Sequence, residues 1–268
     1  TARVASSLLW PDIIFNAKNS VTDDEKVREA LEMAVDRPAI ITSQMKGLPV
    51  PQIQPLDNHI LMPMQAGYRD DSGPYGTYDP TKAGQILTQE GWAPGAGGLR
   101  AKDGKPMQLT IAVPSGDDIA SSIAQLTQQM FTVVGLKTTI QTINSNDYWN
   151  DYFNTGNFQI AIFEWDDAPY TISSSEPEYQ SPQGSNVFQN PGGIFESKVD
   201  QLFTQALDTT NVTRSHALAD QADGLIWQEG HDLPLFAEPD IEMQKSNLAN
   251  YGAWGMGLPD YTAIGFTS

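Results

Sequence analysis

Phe158-Gln159-Ile160-Ala161-Ile162-Phe163-Glu164-Trp165-Asp166-Asp167-Ala168-Pro169-Tyr170 is the stretch on which the fold turns. From 158 to 163 every residue except Gln159 is apolar, and most are branched or aromatic. Such a run predicts a strand covered on both faces, as in an α/β sheet, and not the alternating strand of a half-solvated one. The acids Glu164, Asp166 and Asp167, followed by Ala168-Pro169, place its end at Phe163. Ligands of open α/β sheets collect beyond the carboxyl ends of the strands. An indole beside carboxylates at that point is a candidate binding edge. A solvated acidic turn with one half-buried tryptophan is the other reading of the same residues.

Outward from this strand the pattern is regular. Residues 107–113 read as a strand, Asp117 or Asp118 caps a helix running to Val134 and ended by Gly135, and 136–143 alternate as a second strand. A strand–helix–strand of this kind is a crossover that makes its two strands parallel. A short helix from Ser145 to about Asn154 adds a further crossover into 158–163. Earlier, Thr22-Asp23-Asp24-Glu25 opens a helix whose Val27, Ala30, Leu31, Ala34 and Val35 share one face. Asp36 with Pro38, and Asp79 with Pro80, each start another. Residues 48–78 and 168–195 read as long loops, 197–207 and 213–228 as amphipathic helices, and 233–236 as a short strand. Residues 247–268 show no clear element.

Composition bounds the chemistry. With 268 residues, 40% hydrophobic and 18% charged, the chain has the makings of a folded globular body with ample core. No apolar run reaches the length needed to cross a bilayer as a helix. The absence of cysteine excludes disulfides and thiolate chemistry. A net charge of −18, from 33 acids against 15 bases, repels nucleic acid and anionic lipid and attracts cations. His59, His216 and His231 do not pair at metal-ligand spacing, and there is no HExxH or GxSxG. Gly95-Ala96-Gly97-Gly98 lacks the Lys-Ser/Thr of a phosphate loop and reads as a turn. Glu164, Asp166 and Asp167 contain the elements of a glycosidase acid pair, but neighbours in an extended chain point apart. A single carboxylate anchoring a ligand ammonium asks less, so binding is favoured over catalysis.

Val27-Arg28-Glu29-Ala30-Leu31-Glu32-Met33-Ala34-Val35-Asp36-Arg37 resembles the VRxALxxAxDR helix of the family 5 extracellular solute-binding proteins, receptors of oligopeptide and dipeptide ABC importers. Tyr78-Asp79-Pro80-Thr81-Lys82-Ala83 through Glu90-Gly91-Trp92 is similar to that family's YDPxKA…GW segment. Lys102-Asp103-Gly104-Lys105, Val134-Gly135-Leu136, Trp227 and Leu233-Pro234-Leu235-Phe236 follow its pattern too. The ending, with Ile264-Gly265, resembles actinobacterial members, among them a lipoprotein group. In peptide-binding relatives the buried strand is followed by W-x-x-D, whose Asp holds the peptide amino group. Here Trp165 matches, Ala168 stands at the Asp position, and the acids are Asp166 and Asp167. Gln159 replaces the strand's usual acid.

The resemblance implies an α/β fold, one lobe of a type II bilobal periplasmic-binding-protein fold with a mixed sheet flanked by helices. Residues 1–246 would be the C-terminal ligand-binding lobe and 247–268 a tail returning toward an N-terminal lobe that precedes Thr1. The implied function is capture of a peptide or other small-molecule ligand outside the membrane and delivery to an ABC permease and its ATPase. No enzyme activity, cofactor, metal or nucleic-acid partner is implied. The setting is extracellular or periplasmic and envelope-associated, with membrane attachment only through an anchor on the parent chain. The ligand-binding residues expected are Trp165 as a wall, Asp166 or Asp167 as cation anchor, and Tyr170, Asn186 and Phe188 at the mouth. The alternative is an envelope-assembly regulator on the same fold that binds a protein partner and no small ligand.

Overall fold

The computed structural model describes residues 1–267. The chain opens with β1 (Ala2–Ser6) and β2 (Leu9–Phe15). Helices α1 (Glu25–Met33), α2 (Arg37–Gln44) and α3 (Pro80–Gln89) follow, started by the side chains of Asp24, Asp36 and Asp79, which accept from free first-turn amides. The strands β3 (Ala93–Pro94), β4 (Arg100–Lys102) and β5 (Lys105–Pro106) make a small antiparallel sheet. Next come β6 (Gln108–Pro114), α4 (Asp118–Val133), β7 (Lys137–Ile143), α5 (Ser145–Asp147) running into a π-helical turn Tyr148–Phe153, and β8 (Ile160–Asp166). The remainder is α6 (Thr171–Tyr179), α7 (Ser197–Leu207), α8 (Val212–Glu229), β9 (Asp232–Pro234), β10 (Pro239–Met243), β11 (Leu248–Ala249) and β12 (Gly265–Phe266).

The main sheet has five strands in the order β7-β6-β8-β2-β9. β6 runs parallel to both β7 and β8, as the crossovers require, while β2 is antiparallel to its two neighbours β8 and β9. The sheet is therefore mixed, with one reversed strand. Its first face packs Ile13, Phe15, Ile111, Val113, Ile160 and Ile162 against α1, α4 and Trp227. Its second face sets Ile14, Ala112, Ala161 and Phe163 under Tyr148 and Phe153 of the π-turn. β8 is covered on both sides, as its composition demands. A second apolar cluster joins α6, α7 and α8 through Tyr179, Phe203, Ala222 and Ile226. β1 pairs with β10 outside the main sheet.

Three expectations need correcting. The strand does not stop at Phe163 but runs through Glu164, Trp165 and Asp166, because β2 supplies antiparallel partners as far as Leu9. The 168–195 segment is not all loop: it holds α6, which has no side-chain cap and carries Pro177 inside, so its sequence lacked a helix signature. The terminal segment beyond Asn247 contributes the two-residue strands β11 and β12, paired antiparallel; Ser268 lies outside the described residues. The charges of the α1–α2 region are structural. The Arg28 guanidinium donates to the carbonyls of Thr22, Asp23, Glu229 and Gly230. That of Arg37 donates to the carbonyls of Leu56, Pro234 and Gly76 and pairs with Asp57 at 2.7 Å.

Ile162→Ala removes apolar volume at the centre of a strand buried on both faces, and we expect it to cost about 2–5 kcal/mol. Val133→Ala, at a position 71% exposed, should stay within about 0.5 kcal/mol. Urea unfolding of the two variants beside the wild type checks both.

Candidate functional site

The carboxyl end of β8 is held by a reciprocal pair of indole bonds. Register sets Trp10 of β2 directly opposite Trp165 of β8. The Trp165 Nε1 donates to Asp12 Oδ2 at 3.2 Å, and the Trp10 Nε1 donates to Asp167 Oδ2 at 3.1 Å. Each strand thus presents Trp-x-Asp, as Trp10-Pro11-Asp12 and Trp165-Asp166-Asp167, and each indole bonds the other strand's acid. Diagonal cross-strand neighbours on one face can reach each other in this way. Trp10 is fully buried, whereas Trp165 is half-buried against Phe163 and Phe153.

The two acids after Trp165 part company. Asp166 is exposed. Asp167 is buried; its Oδ1 accepts from Ser174 Oγ at 2.9 Å, so α6 is tied to the end of β8. Burial pushes the Asp167 carboxyl up to about 6, although the bonds from Ser174 and Trp10 work against the shift. Tyr170 stands 83% exposed at the start of α6. It borders a largely apolar groove of about 680 Å³ with Leu61, Met64, Ile172, Leu207 and Met256. A cleft of this size suits an organic ligand. Asn186 lies in an exposed turn closed by a Gln183–Asn186 bridge, and its Oδ1 accepts from Phe188 N, whose residue adopts a positive φ of 53°. Gln189 and Asn190, next along that loop, line the same small cavity as Trp165. Trp165 and Tyr170 thus line different cavities, Asp166 is exposed at the strand end, Asp167 is buried, and Asn186 and Phe188 lie in the loop that leads to Gln189.

Below the rim lies a polar floor that sequence reasoning missed. Asp232 is buried at its centre: Oδ1 bonds His231 Nδ1 at 2.7 Å and Oδ2 accepts from the Tyr179 hydroxyl at 3.3 Å. His59 is fully buried between Asp223 Oδ1, at 2.8 Å from Nδ1, and the Asp232 carbonyl. Burial would raise the Asp232 carboxyl, but the charges of His59 and His231 outweigh it and hold it below the usual carboxylate range. Burial would lower the His59 imidazole, and Asp232 and Asp223 reverse that to a net rise. Asp12 is pushed up by burial and by Asp232, so it is the neutral member of its pair. A second carboxyl pair joins Glu164 to Glu238, where burial and then Glu164 raise Glu238 to about 8. The signal for this floor was a lone Asp12 inside the apolar Leu9–Phe15 run and the repeated Trp-x-Asp. Among the described residues no group of three or more His, Cys, Asp or Glu is arranged to hold a metal ion.

Comparison with known proteins agrees with this architecture. Residues 7–186 match the middle part of the bacterial extracellular solute-binding proteins, family 5. The oligopeptide-binding protein OppA of Mycobacterium tuberculosis is 35% identical over 259 residues, 96% of this chain and 42% of OppA. The glutathione-binding protein GsiB of Escherichia coli is 24% identical over 253 residues, 91% of this chain and 45% of GsiB. Among solved structures, the oligopeptide-binding protein AppA from Bacillus subtilis, in complex with a nonapeptide, superposes with a TM-score of 0.80 at 21% identity. All of this chain is matched there, by 52% of AppA. The chain thus has the fold of one lobe of such a protein and spans about half the length of these relatives or less.

The buried Asp167 has a consequence for stability. Its folded pKa of about 6 lies above the ordinary 3.8, so the native state binds the extra proton between those values. Stability from this group falls as pH rises through that window, by up to about 1.4 kcal/mol per pH unit. Asp167→Asn removes the titration. We expect the difference in unfolding free energy between wild type and variant to change between pH 4 and 6 and to level off above 7, as read by urea titrations at each pH.

Proposed function

The chain belongs to the family 5 bacterial extracellular solute-binding proteins, and from that premise we propose that it is the ligand-capturing lobe of an ABC importer receptor for peptide-like solutes. The observation that carries the reading is the β8 rim. Its support is three features of the strand end taken separately: an indole whose tilt is set by Asp12, an exposed carboxylate at Asp166 on the other face, and the exposed Tyr170 beside an apolar groove. Aromatic faces supply contact area at low entropic cost, and one carboxylate orients a cationic group. Trp165 serves as the wall, Asp166 as the cation anchor and Tyr170 as the edge of the mouth. Asn186 and Phe188 flank it from the neighbouring loop. Asp167 contributes from beneath, by fixing Trp10 and α6.

Residues 1–246 form the lobe, and 247–268 return toward a second lobe in the full-length receptor. Part of that tail is tied to β10, where Trp254 N and Gly255 N donate to Asp240 Oδ2. The ligand closes the receptor outside the cytoplasmic membrane and is passed to a permease and ATPase. The negative surface favours arrival of cationic solutes. Relatives are named as binding proteins for oligopeptides and glutathione, which supports carriage and not turnover.

In the full-length receptor, Asp166→Asn should weaken trilysine binding by about tenfold, the loss of one charge-assisted contact. Trp165→Ala should weaken it at least as much. Isothermal titration calorimetry measures both; affinity unchanged by either substitution removes this rim from the site.

A further inference from the structure

A small cavity lies directly behind Trp165, where β2, α6, the His231–Asp232 turn and the Gln189–Gly192 loop meet. Its volume is about 10 Å³, close to the least that holds one water molecule, about 10–15 Å³. Three of the residues lining it carry a buried polar atom with no partner among the described residues: Asp12 Oδ1, Glu178 Oε2 and His231 Nε2. Asp12 is fully buried, Glu178 is 4% exposed and His231 is 7% exposed, so bulk water does not satisfy them. The second polar atoms of Asp12 and His231 are already committed. Asp12 Oδ2 takes the Trp165 indole, and His231 Nδ1 takes Asp232.

We propose that this cavity is a built site for a single structural water, bonded to Glu178, His231 and Asp12 and completing the polar support of Trp165. Buried waters make about three bonds to otherwise unsatisfied groups, and three such atoms are present. The set mixes carboxyl oxygens with an imidazole nitrogen that donates or accepts according to its proton. Water can answer either arrangement, because it donates two bonds and accepts two, whereas a cation answers only acceptors. The ring and carboxyl atoms do not form a metal-ligand group. The water adds a second link among elements already joined by the β2–β9 ladder and the Tyr179–Asp232 bond, through Glu178 on α6, His231 before β9 and Asp12 on β2. The Trp165 indole is hydrogen-bonded to Asp12, so the same bridge fixes the tilt of the ring at the rim. The inference holds whatever ligand the rim takes.

The test is a crystal structure of the protein at a resolution that shows ordered solvent. One peak within hydrogen-bond distance of Glu178 Oε2 and His231 Nε2 is expected. An empty cavity, or Glu178 bonded directly to His231, overturns the proposal. In solution, ¹⁷O magnetic relaxation dispersion counts long-lived internal waters. Glu178→Leu should lose one water relative to wild type and Glu178→Gln should keep it; an equal count in Glu178→Leu and wild type overturns the site. Should Glu178→Leu fail to fold, the wild-type crystal alone decides.

Discussion

The whole lobe depends on one non-local strand pairing. β2, near the beginning of the chain, enters between β8 and β9 and runs antiparallel to both. Without it the three parallel strands would end at β8 with an unpaired edge, and β9 would have no neighbour in the sheet. Loop closure across some 150 residues is entropically costly but grows only slowly with length, so a continuous ladder backed by two apolar faces can offset it. The ladder also brings the chemistry. Trp10 and Asp12 reach the carboxyl end of β8 only because β2 pairs through to Leu9 opposite Asp166. Their exchange of indole bonds with Trp165 and Asp167 then closes the sheet at the rim.

The polar floor beneath that rim follows from the same geometry. β2 and β9 are adjacent, so Asp12 and Asp232 are forced into one buried region between strands. Two ionised carboxylates there would repel in a low-dielectric setting. The conflict is resolved unequally: Asp12 stays neutral, and Asp232 keeps its charge beside His59 and His231. Buried ionic groups add little net stability compared with a well-packed apolar replacement. What they provide is direction. Hydrogen bonds from Trp165, Tyr179 and His231 converge on these two acids, so the Trp165 indole has a defined orientation.

Legibility in the sequence followed the strength of local signals. The helix starts at Asp36-Arg37-Pro38, Asp79-Pro80 and Asp117 were readable because capping is a property of a few adjacent residues. The β6–α4–β7 crossover was readable from periodicity alone. β2 was not, because Pro11 and Asp12 interrupt its apolar run, and proline argues against a central strand. The structure accommodates Pro11 by using its carbonyl, which accepts from Leu235 N at 3.0 Å. α6 was hidden by its serines and its internal proline, since it is held by tertiary contacts of Ser174 and Tyr179 and not by propensity. At the candidate site, Trp165 and its acids were visible as a cluster. Their cross-strand partners Trp10 and Asp12 were not, for they lie 157 and 153 residues away from the groups they bond.

Strand parity explains how the rim departs from the W-x-x-D arrangement and still presents an acid outward. Side chains alternate between faces along an extended chain. Trp165 and Asp167, two apart, share a face, and both turn toward β2 and bond its residues. Asp166 and Ala168, at odd offsets from the tryptophan, take the other face, and both are exposed. An acid three residues beyond the tryptophan would share the face of Asp166, one residue beyond it. The carboxylate is thus moved two positions along the chain while its side of the strand is kept. It shares the strand face of the half-buried Glu164, opposite to the indole. A cation beside Asp166 would lie on the face of the strand end away from the indole, so a ligand that touches both side chains has to wrap the end of β8.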